Sequence, residues 1–214
     1  MIPPWSPLYT ELAPMAYDPN GARQLLQQAG WTDSNNDGLL DKGGQPLRFV
    51  LTINSSNRLH ADIAQVMQRQ LRQVGVDVQI QPQEFQSMLQ RYKAREYDAV
   101  LANWSLDTFK VDPSPLFSCA QAQVKNSANR TGYCNPRADA LLDTLPTIAD
   151  RAAAKPLWSE YQRLISAEQP FTFLFFQRRL EGVHERLRNV RPDARGDWVG
   201  ASRWYIRPDA RQGR

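Results

Sequence analysis

Four residues beside a predicted strand combine an aromatic ring with a carboxylate. The strand is predicted at 97–104 (YDAVLANW), and its carboxyl end carries Trp104, Ser105, Leu106 and Asp107. In α/β sheets, ligands gather outside the carboxyl ends of strands. A ligand cation enclosed there needs an anion, because an unpaired charge in a closed cleft is very costly. The sequence therefore predicts a ligand site at this strand end, with Asp107 as its anion.

The same stretch allows two other interpretations. Asp107 can cap a turn at the surface, or Asp112, which precedes Pro113, can supply the anion if an insertion shifts the loop. The irregular segment runs from Trp104 to about Asn135, which is too long for a mere connection. Its length favours a functional loop, in agreement with its place after a strand and with its chemistry.

A second polar loop copies the first half of a calcium-binding loop. Asp33, Asn35 and Asp37 stand at alternate positions, and Asp41 occupies the ninth position of the pattern. The twelfth position, where a bidentate Glu belongs, is Gly44, so calcium affinity should be weak. Loops rich in Asp and Asn also satisfy their own backbone without metal. We predict a structural turn, with weak calcium binding as the alternative.

The chain has two cysteines, Cys119 and Cys134, which bound a loop of about sixteen residues. A disulfide between them would stabilise the fold by about 3 kcal/mol in the chain-entropy treatment. Two free buried thiols are the competing interpretation. A metal site has little support, because His60 and His184 are the two histidines and neither is near the cysteines in sequence.

Composition and motifs exclude several classes of protein. With 42% hydrophobic and 22% charged residues among 214, the chain should bury a real core, and it has no apolar run long enough to span a membrane. The basic residues of 178–214 are interleaved with acids, which argues against nucleic-acid binding. Phosphate-cradling GxxxxGK, HExxH and GxSxG motifs are absent. We expect neither enzymatic activity nor a cofactor.

Apolar periodicity predicts helices that alternate with strands, which indicates an α/β layer with parallel crossovers. Helices are predicted at 19–29, 58–74, 84–95, 136–145 and 150–168, and strands at 46–53, from Val76, at 97–104 and at 170–176. The last strand (PFTFLFF) is nearly all apolar and is predicted to be buried on both faces. The Pro-rich start has no secretory signal pattern, and we expect the natural chain to begin further upstream.

The order of these segments resembles the family 5 solute-binding proteins of ATP-driven importers, which carry dipeptides, oligopeptides and nickel complexes. The resemblance rests on YDPNGARQLLQQAGWTDSNNDGLLDKGGQPLRFVLTI, VGVDVQI, YDAVLANW, SCAQ…GYCNPRADALL and ISAEQPFTFLF. It extends from about Tyr17 to Phe176 and is closest to the dipeptide and oligopeptide branch.

The resemblance implies a two-lobed, type II-like periplasmic binding protein, of which this chain is the C-terminal half. We therefore expect a mixed sheet flanked by helices, with extended terminal segments. Residues 1–16 would cross from the other lobe, 17–177 would form the α/β ligand-binding lobe, and 178–214 would return. The missing N-terminal half would be the partner of both ends.

The resemblance also implies a function and a location. Peptide-binding relatives pair the ligand's α-ammonium with an acid three residues after a Trp, the position of Asp107, and they have a disulfide where Cys119 and Cys134 stand. The expected protein is periplasmic, or extracellular and membrane-associated, and delivers peptides to a permease. The loop reads SLDTFKVDPSPLF where peptide binders often have Gly and Asn. The alternative solutes are therefore nickel complexes, opines and sugars. An alternative role is that of the sensor domain of a cytoplasmic transcription regulator.

Overall fold

A computed structural model describes residues 2–105, 111–177, 180–193 and 196–207. The chain divides into two compact units. The first comprises Met1–Ser105 and Pro113–Phe171, and the second comprises Leu106–Asp112 and Thr172–Arg214. The domain boundaries predicted from the sequence, after residues 16 and 177, remain predictions.

Helices and strands alternate through the first half of the chain, as the periodicity predicts. In chain order, the elements are α1 (Pro19–Gln28), β1 (Asp41–Lys42), β2 (Gln45–Pro46), β3 (Arg48–Asn54), α2 (Arg58–Arg72), β4 (Asp77–Gln83), α3 (Phe85–Ala94), β5 (Ala99–Val100), α4 (Ser114–Phe117), α5 (Cys119–Ala122), α6 (Pro136–Thr144), a 3-10 turn (Leu145–Thr147), α7 (Arg151–Glu168), β6 (Leu187–Arg188), a 3-10 turn (Ala201–Arg203) and β7 (Tyr205–Ile206).

A three-stranded parallel sheet with the order β4-β3-β5 forms the centre of the first unit. Arg48 pairs with Asp77 at one end of the β3–β4 ladder, and Asn54 pairs with Gln83 at the other. Parallel neighbours require crossovers, which α2 and α3 supply. The core against the sheet consists of buried apolar side chains: Leu51, Ile53, Ala64, Val74, Val76, Val78 and Leu101. The predicted α/β class is confirmed.

Helix caps set the ends of the predicted helices. Asp18, Asn57 and Glu84 accept backbone N–H bonds at the starts of α1, α2 and α3, which satisfies donors that a helix cannot pair internally. Gly75 ends the α2 region with a φ of +84°, and a Cβ there would lie 2.6 Å from the Leu40 side chain. Glycine is therefore required at this turn.

A second cluster of the first unit is helical and rich in aromatic rings. Phe117 is fully buried, with the rings of Tyr133, Tyr161 and Phe171 packed edge-on at centroid distances of 5.6 to 6.4 Å. Burying rings of this size dominates core energetics. Around them lie the buried apolar residues of α6 and α7: Ala138, Leu141, Leu142, Ala154, Trp158 and Ile165.

Part of the N-terminal segment lies on α7. Gln162 Nε2 donates to the Leu8 carbonyl at 2.9 Å, its Oε1 accepts from the Thr10 amide at 3.0 Å, and Lys155 Nζ donates to the Pro7 carbonyl at 3.2 Å. Residues 7–10 thus have a partner surface within the first unit, which the sequence pattern did not indicate. That residues 1–16 cross from another lobe stays a prediction.

Two predicted strands differ from the structure. The strand at 97–104 is reduced to Ala99–Val100; just before it, the Asp98 carboxylate, rather than a backbone carbonyl, accepts the Val50 amide at 2.9 Å. The strand at 170–176 is wrong: 172–177 is irregular, and Phe175 is 60% exposed. A strand needs a neighbouring backbone, and no strand pairs with this run in the described part of the chain. An apolar run alone cannot supply that information.

The second unit holds a small antiparallel pair, β6 with β7, in which Leu187 faces Ile206. Asn189 Nδ2 donates to the Arg203 carbonyl at 3.1 Å, and the rings of Trp198 and Trp204 stack at 5.7 Å. Across the residues described in both units, no helix has the length and apolar character that crossing a membrane requires.

Candidate functional site

The carboxyl ends of β3, β4 and β5 lie at one edge of the sheet, because the three strands are parallel. The Ser55 amide donates to the Gln83 carbonyl at 2.8 Å, which ties the ends of β3 and β4 together. Beyond β5, the Leu101 amide still donates to the Thr52 carbonyl at 3.0 Å. Trp104 therefore follows a short, fixed stem at the edge where α/β proteins bind ligands.

His60 connects this edge to α2. Its side chain is buried, and its Nε2 lies 3.3 Å from Oδ1 of Asn103, the residue before Trp104. With the amide oxygen as acceptor, Nε2 carries the proton, and Nδ1 has no hydrogen-bond partner. The sequence predicted no role for His60, and the structure gives it one in holding the segment after β5.

Trp104 bonds to Tyr92 of α3, whose ring lies against that of Tyr97 in the segment after α3. Burial raises the pKa of Tyr92 to about 12, and a hydrogen bond from the Trp104 side chain to Tyr92 opposes this rise. The rings of Tyr92 and Tyr97 are 5.4 Å apart, and the Tyr97 hydroxyl donates to the Arg130 carbonyl at 2.9 Å. The Arg130 guanidinium lies over the Tyr92 ring, 5.7 Å from its centroid. We call Trp104, Tyr92, Tyr97 and Arg130 the aromatic corner.

The loop that supplies Arg130 is held at several points. The structure contains the disulfide Cys119–Cys134, which confirms the predicted bridge. Asn129 is fully buried, and its Nδ2 donates to the carbonyls of Ser118 and Tyr133 at 3.2 and 2.7 Å, while Oδ1 accepts from the Tyr133 amide. A buried amide with all its hydrogen bonds satisfied fixes the backbone on both sides.

Arg95 fixes the same loop from the end of α3. Its Nη1 donates to the Ala122 carbonyl at 2.7 Å, and its Nη2 donates to the Asn129 carbonyl at 2.7 Å. Arg95 itself has a φ of 61°, the left-handed conformation that ends α3. The guanidinium thus satisfies backbone carbonyls of the loop, as backbone N–H groups do in helices and sheets.

The predicted ligand residues are described only in part. Trp104 is half-buried and Ser105 is exposed, both at the end of the first unit. Leu106 and Asp107 lie outside the described residues. Asp112 is exposed and belongs to the second unit. The role of Asp107 therefore stays a prediction from the sequence.

The Asp- and Asn-rich loop binds its own backbone. Asp33 accepts from the Asp37 and Gly38 amides at 3.1 and 3.0 Å, and Asp41 accepts from Ser34 through both its amide and its hydroxyl. These hydrogen bonds lower the pKa of Asp41. Among the residues described here, no three His, Cys, Asp or Glu side chains are grouped to hold a metal ion.

Replacing Asp33 with Ala should destabilise the first unit, because the Gly38 amide loses its acceptor and the Asp37 amide keeps only Asn35 Oδ1. We expect the free energy of unfolding to fall by about 1 kcal/mol, as for a lost cap. Urea unfolding measures this change, with Asn35→Ala as the matched control, since Asn35 Oδ1 accepts only the Asp37 amide in this turn. Equal midpoints for Asp33→Ala and the unmodified protein would contradict the structural interpretation, as would a calorimetric calcium isotherm in the micromolar range.

Sequence reasoning did not find the aromatic corner. Tyr92 and Tyr97 were assigned to a helix and a strand, and Arg130 lay in a loop with no periodic signal. The one available signal was Cys134, because a disulfide that closes this loop must bring residues near 130 against a neighbouring element. Which element that would be depends on tertiary packing.

Residues 1–126 match the family described as bacterial extracellular solute-binding proteins, family 5 middle. The oligopeptide-binding protein AppA of Bacillus subtilis is 31% identical over 192 residues, which cover 89% of this chain and 35% of that protein. The nickel-binding periplasmic protein of Escherichia coli is 37% identical over 82 residues, 38% of this chain and 16% of that protein.

The structure of the same Bacillus subtilis AppA in complex with a nonapeptide superposes on 96% of this chain with a TM-score of 0.81 and 29% identity. The chain covers 41% of that structure. NikZ of Campylobacter jejuni in complex with Ni(L-His) gives a TM-score of 0.64 at 23% identity over 72% of this chain and 31% of NikZ, which supports the fold alone. The chain thus spans well under half the length of these relatives.

Proposed function

This chain belongs to the bacterial extracellular solute-binding proteins of family 5, and we propose that it is the C-terminal part of a peptide-capturing protein that serves an ATP-driven importer. The observation that carries the proposal is the similarity to AppA over 89% of the chain, in sequence and in a peptide-bound structure. The relatives named above are binding proteins, which supports a function without catalysis.

Capture would begin with the ligand's α-ammonium. Asp107 supplies the anion, three residues after Trp104, and the Trp104 ring forms a wall of the binding site. Exposed backbone groups of an extended peptide pair with the protein, as in other cases of strand-like recognition. Enclosure then excludes water, which strengthens the ammonium–carboxylate pair. The lobes close on the peptide, and the closed protein presents a surface to the membrane permease.

The segment that precedes Asp107, the predicted anion, is held by several side chains. His60 and Asn103 hold the segment after β5 to α2, and Tyr92 holds Trp104. A binding residue is effective when its neighbours fix it before the ligand arrives, because less conformational entropy is lost on binding. This support favours the stem of the loop as the base of a ligand site.

The location proposed for the protein is the periplasm, or the outer face of the membrane. The relatives carry the descriptions extracellular and periplasmic. Disulfides persist in oxidising compartments, and Cys119–Cys134 is such a bond. Both observations support a location outside the cytoplasmic membrane.

A nickel complex is the second candidate solute, because the nickel-binding relative is 37% identical over its matched segment. A thermal-shift screen distinguishes the two candidates when it is run on the protein as its source organism produces it. Tri-alanine should raise Tm, while nickel–histidine and a linear oligosaccharide should leave it unchanged. A rise with nickel–histidine and none with peptides of two to five residues would overturn the peptide proposal.

A further inference from the structure

The Cys119–Cys134 bridge lies beside the buried side chain of Asn129. Cys134 is exposed and Cys119 is half-buried, so a small reagent can reach the bridge. Ser118 and Tyr133 precede the two cysteines, and their carbonyls both accept from Asn129 Nδ2, at 3.2 and 2.7 Å. One side-chain amide can span both carbonyls only while the two chain segments stay together. The bridge is the covalent link between these segments, and cutting it therefore loosens the hydrogen bonds of Asn129.

Arg130 follows Asn129 directly, and the loop holds it in a position that costs free energy. The residue is 9% exposed, and its Nε and Nη1 are buried without a hydrogen-bond acceptor. Leaving charged N–H groups unbonded is costly, and water would supply the missing acceptors. A loosened loop therefore favours a second arrangement, in which the guanidinium turns to solvent. The guanidinium then leaves the ring of Tyr92, which it now covers at 5.7 Å from the centroid.

Tyr92 and Tyr97 connect Arg130 to Trp104. The Trp104 side chain donates a hydrogen bond to Tyr92. The ring of Tyr97 lies 5.4 Å from that of Tyr92, and the Tyr97 hydroxyl donates to the Arg130 carbonyl at 2.9 Å. Both tyrosines of the aromatic corner therefore contact Arg130, one at its side chain and one at its backbone. A shift of Arg130 removes a support from the residue that holds the Trp104 ring.

We propose that the Cys119–Cys134 bridge regulates the ligand site: its reduction releases Arg130 from Tyr92, loosens Trp104 and weakens peptide binding. The inference rests on the proposed function and adds a redox-sensitive support to it. Coupling between distant groups needs an element with two arrangements, and Arg130 over Tyr92 or in solvent provides them. The expected fall in affinity is about tenfold, within the usual range for coupled sites.

The reductant that this change requires is a dithiol. One thiolate of the dithiol attacks the exposed sulfur of Cys134 and forms a mixed disulfide, while Cys119 leaves as a thiolate and takes up a proton. The second thiolate of the dithiol then displaces Cys134, which takes up a proton in turn. A pair of electrons thus passes to the bridge, and the dithiol becomes a disulfide.

Calorimetric titration with tri-alanine tests the proposal on the natively produced protein, before and after reduction with dithiothreitol. The titrations are run at a temperature at which circular dichroism shows the reduced protein to be folded. Reduction should raise Kd about tenfold. The Cys119→Ser, Cys134→Ser double variant should bind as weakly as the reduced protein, with or without dithiothreitol. If the folded, reduced protein keeps its affinity, Asn129 and Arg95 hold the loop alone, and the inference is overturned while the proposed function stands.

A pair of tyrosine variants tests the same coupling with the bridge intact. Tyr92→Phe removes the acceptor of the Trp104 hydrogen bond, and it should weaken tri-alanine binding about as much as reduction does. Reduction of this variant should then change Kd by about twofold or less. Tyr161→Phe is the matched control, because the Tyr161 hydroxyl is buried without a hydrogen-bond partner. It should bind like the unmodified protein and respond fully to reduction. Unchanged affinity in Tyr92→Phe, or losses that add in full, would contradict the coupling.

The indole resonance of Trp104 in 15N-labelled protein separates the coupling from the proposed function, because it needs no ligand. The resonance is assigned by its loss in Trp104→Phe, and Trp31, which follows α1, is the internal control. Reduction should shift the Trp104 resonance and leave that of Trp31 in place. If it does so and the oxidised protein binds no peptide, the coupling stands and the peptide proposal falls. If the Trp104 resonance does not move, the coupling is overturned, whether or not tri-alanine binds.

Discussion

Replacing both Cys119 and Cys134 with Ser is expected to lower the free energy of unfolding by about 3 kcal/mol. The disulfide closes a loop whose ends are 15 positions apart in sequence, so its loss returns conformational freedom mainly to the unfolded chain. Urea unfolding of the oxidised protein and of the double variant measures the difference.

Reduction with dithiothreitol provides the control. The reduced unmodified protein should unfold at the same urea midpoint as the double variant, and the double variant should not respond to dithiothreitol. A difference well below 1 kcal/mol would mean that Asn129 and Arg95 hold the loop without the bridge. In that case, amide hydrogen exchange across 118–134 would also be unchanged, which would contradict the expected local loosening.

Replacing Asp107 with Asn should weaken binding of tri-alanine by about 100-fold, which corresponds to roughly 3 kcal/mol. The loss has a clear physical origin, because the peptide's ammonium would be enclosed without its counter-charge. Asparagine keeps the shape and one acceptor oxygen, so the change isolates the charge. Calorimetric titration of the protein as its source organism produces it gives both affinities.

Asp112→Asn is the matched control, since Asp112 is an exposed acid of the same irregular segment. We expect this variant to keep the affinity of the unmodified protein within a factor of about two. If Asp112→Asn loses affinity and Asp107→Asn does not, the anion stands five residues later than predicted. Equal affinities for the unmodified protein and both variants would show that neither carboxylate binds the peptide's ammonium.

The sequence is informative where local signals and tertiary packing agree. The helix around 58–74 was predicted from its apolar spacing and from the glycine at 75, and the structure adds a cap at Asn57. The strands on either side follow from β-rich alternation, and they pair in parallel as an intervening helix requires. The disulfide needed only two cysteines at a suitable spacing and a resemblance.

The sequence is uninformative where partners are distant along the chain. The apolar run 170–176 has the composition of a buried strand, yet residues 172–177 are irregular and Phe175 is exposed. The same limit applies to Gln162, which binds residues 8 and 10, and to Arg130, which lies over Tyr92. Each contact joins residues that no periodic pattern connects. The sequence therefore predicts a ligand site after this strand, while the side chains that hold the segment after the strand were not found from the sequence.

The measurement that tests the central claim most directly compares tri-alanine with its N-acetylated form by calorimetric titration of the natively produced protein. Acetylation removes the ammonium and leaves the rest of the peptide intact. We predict that tri-alanine binds and that the acetylated peptide binds at least about 100-fold more weakly. Equal affinities for the two peptides, or no binding of either, would contradict the claim that this protein captures peptides and binds their amino end through an anion.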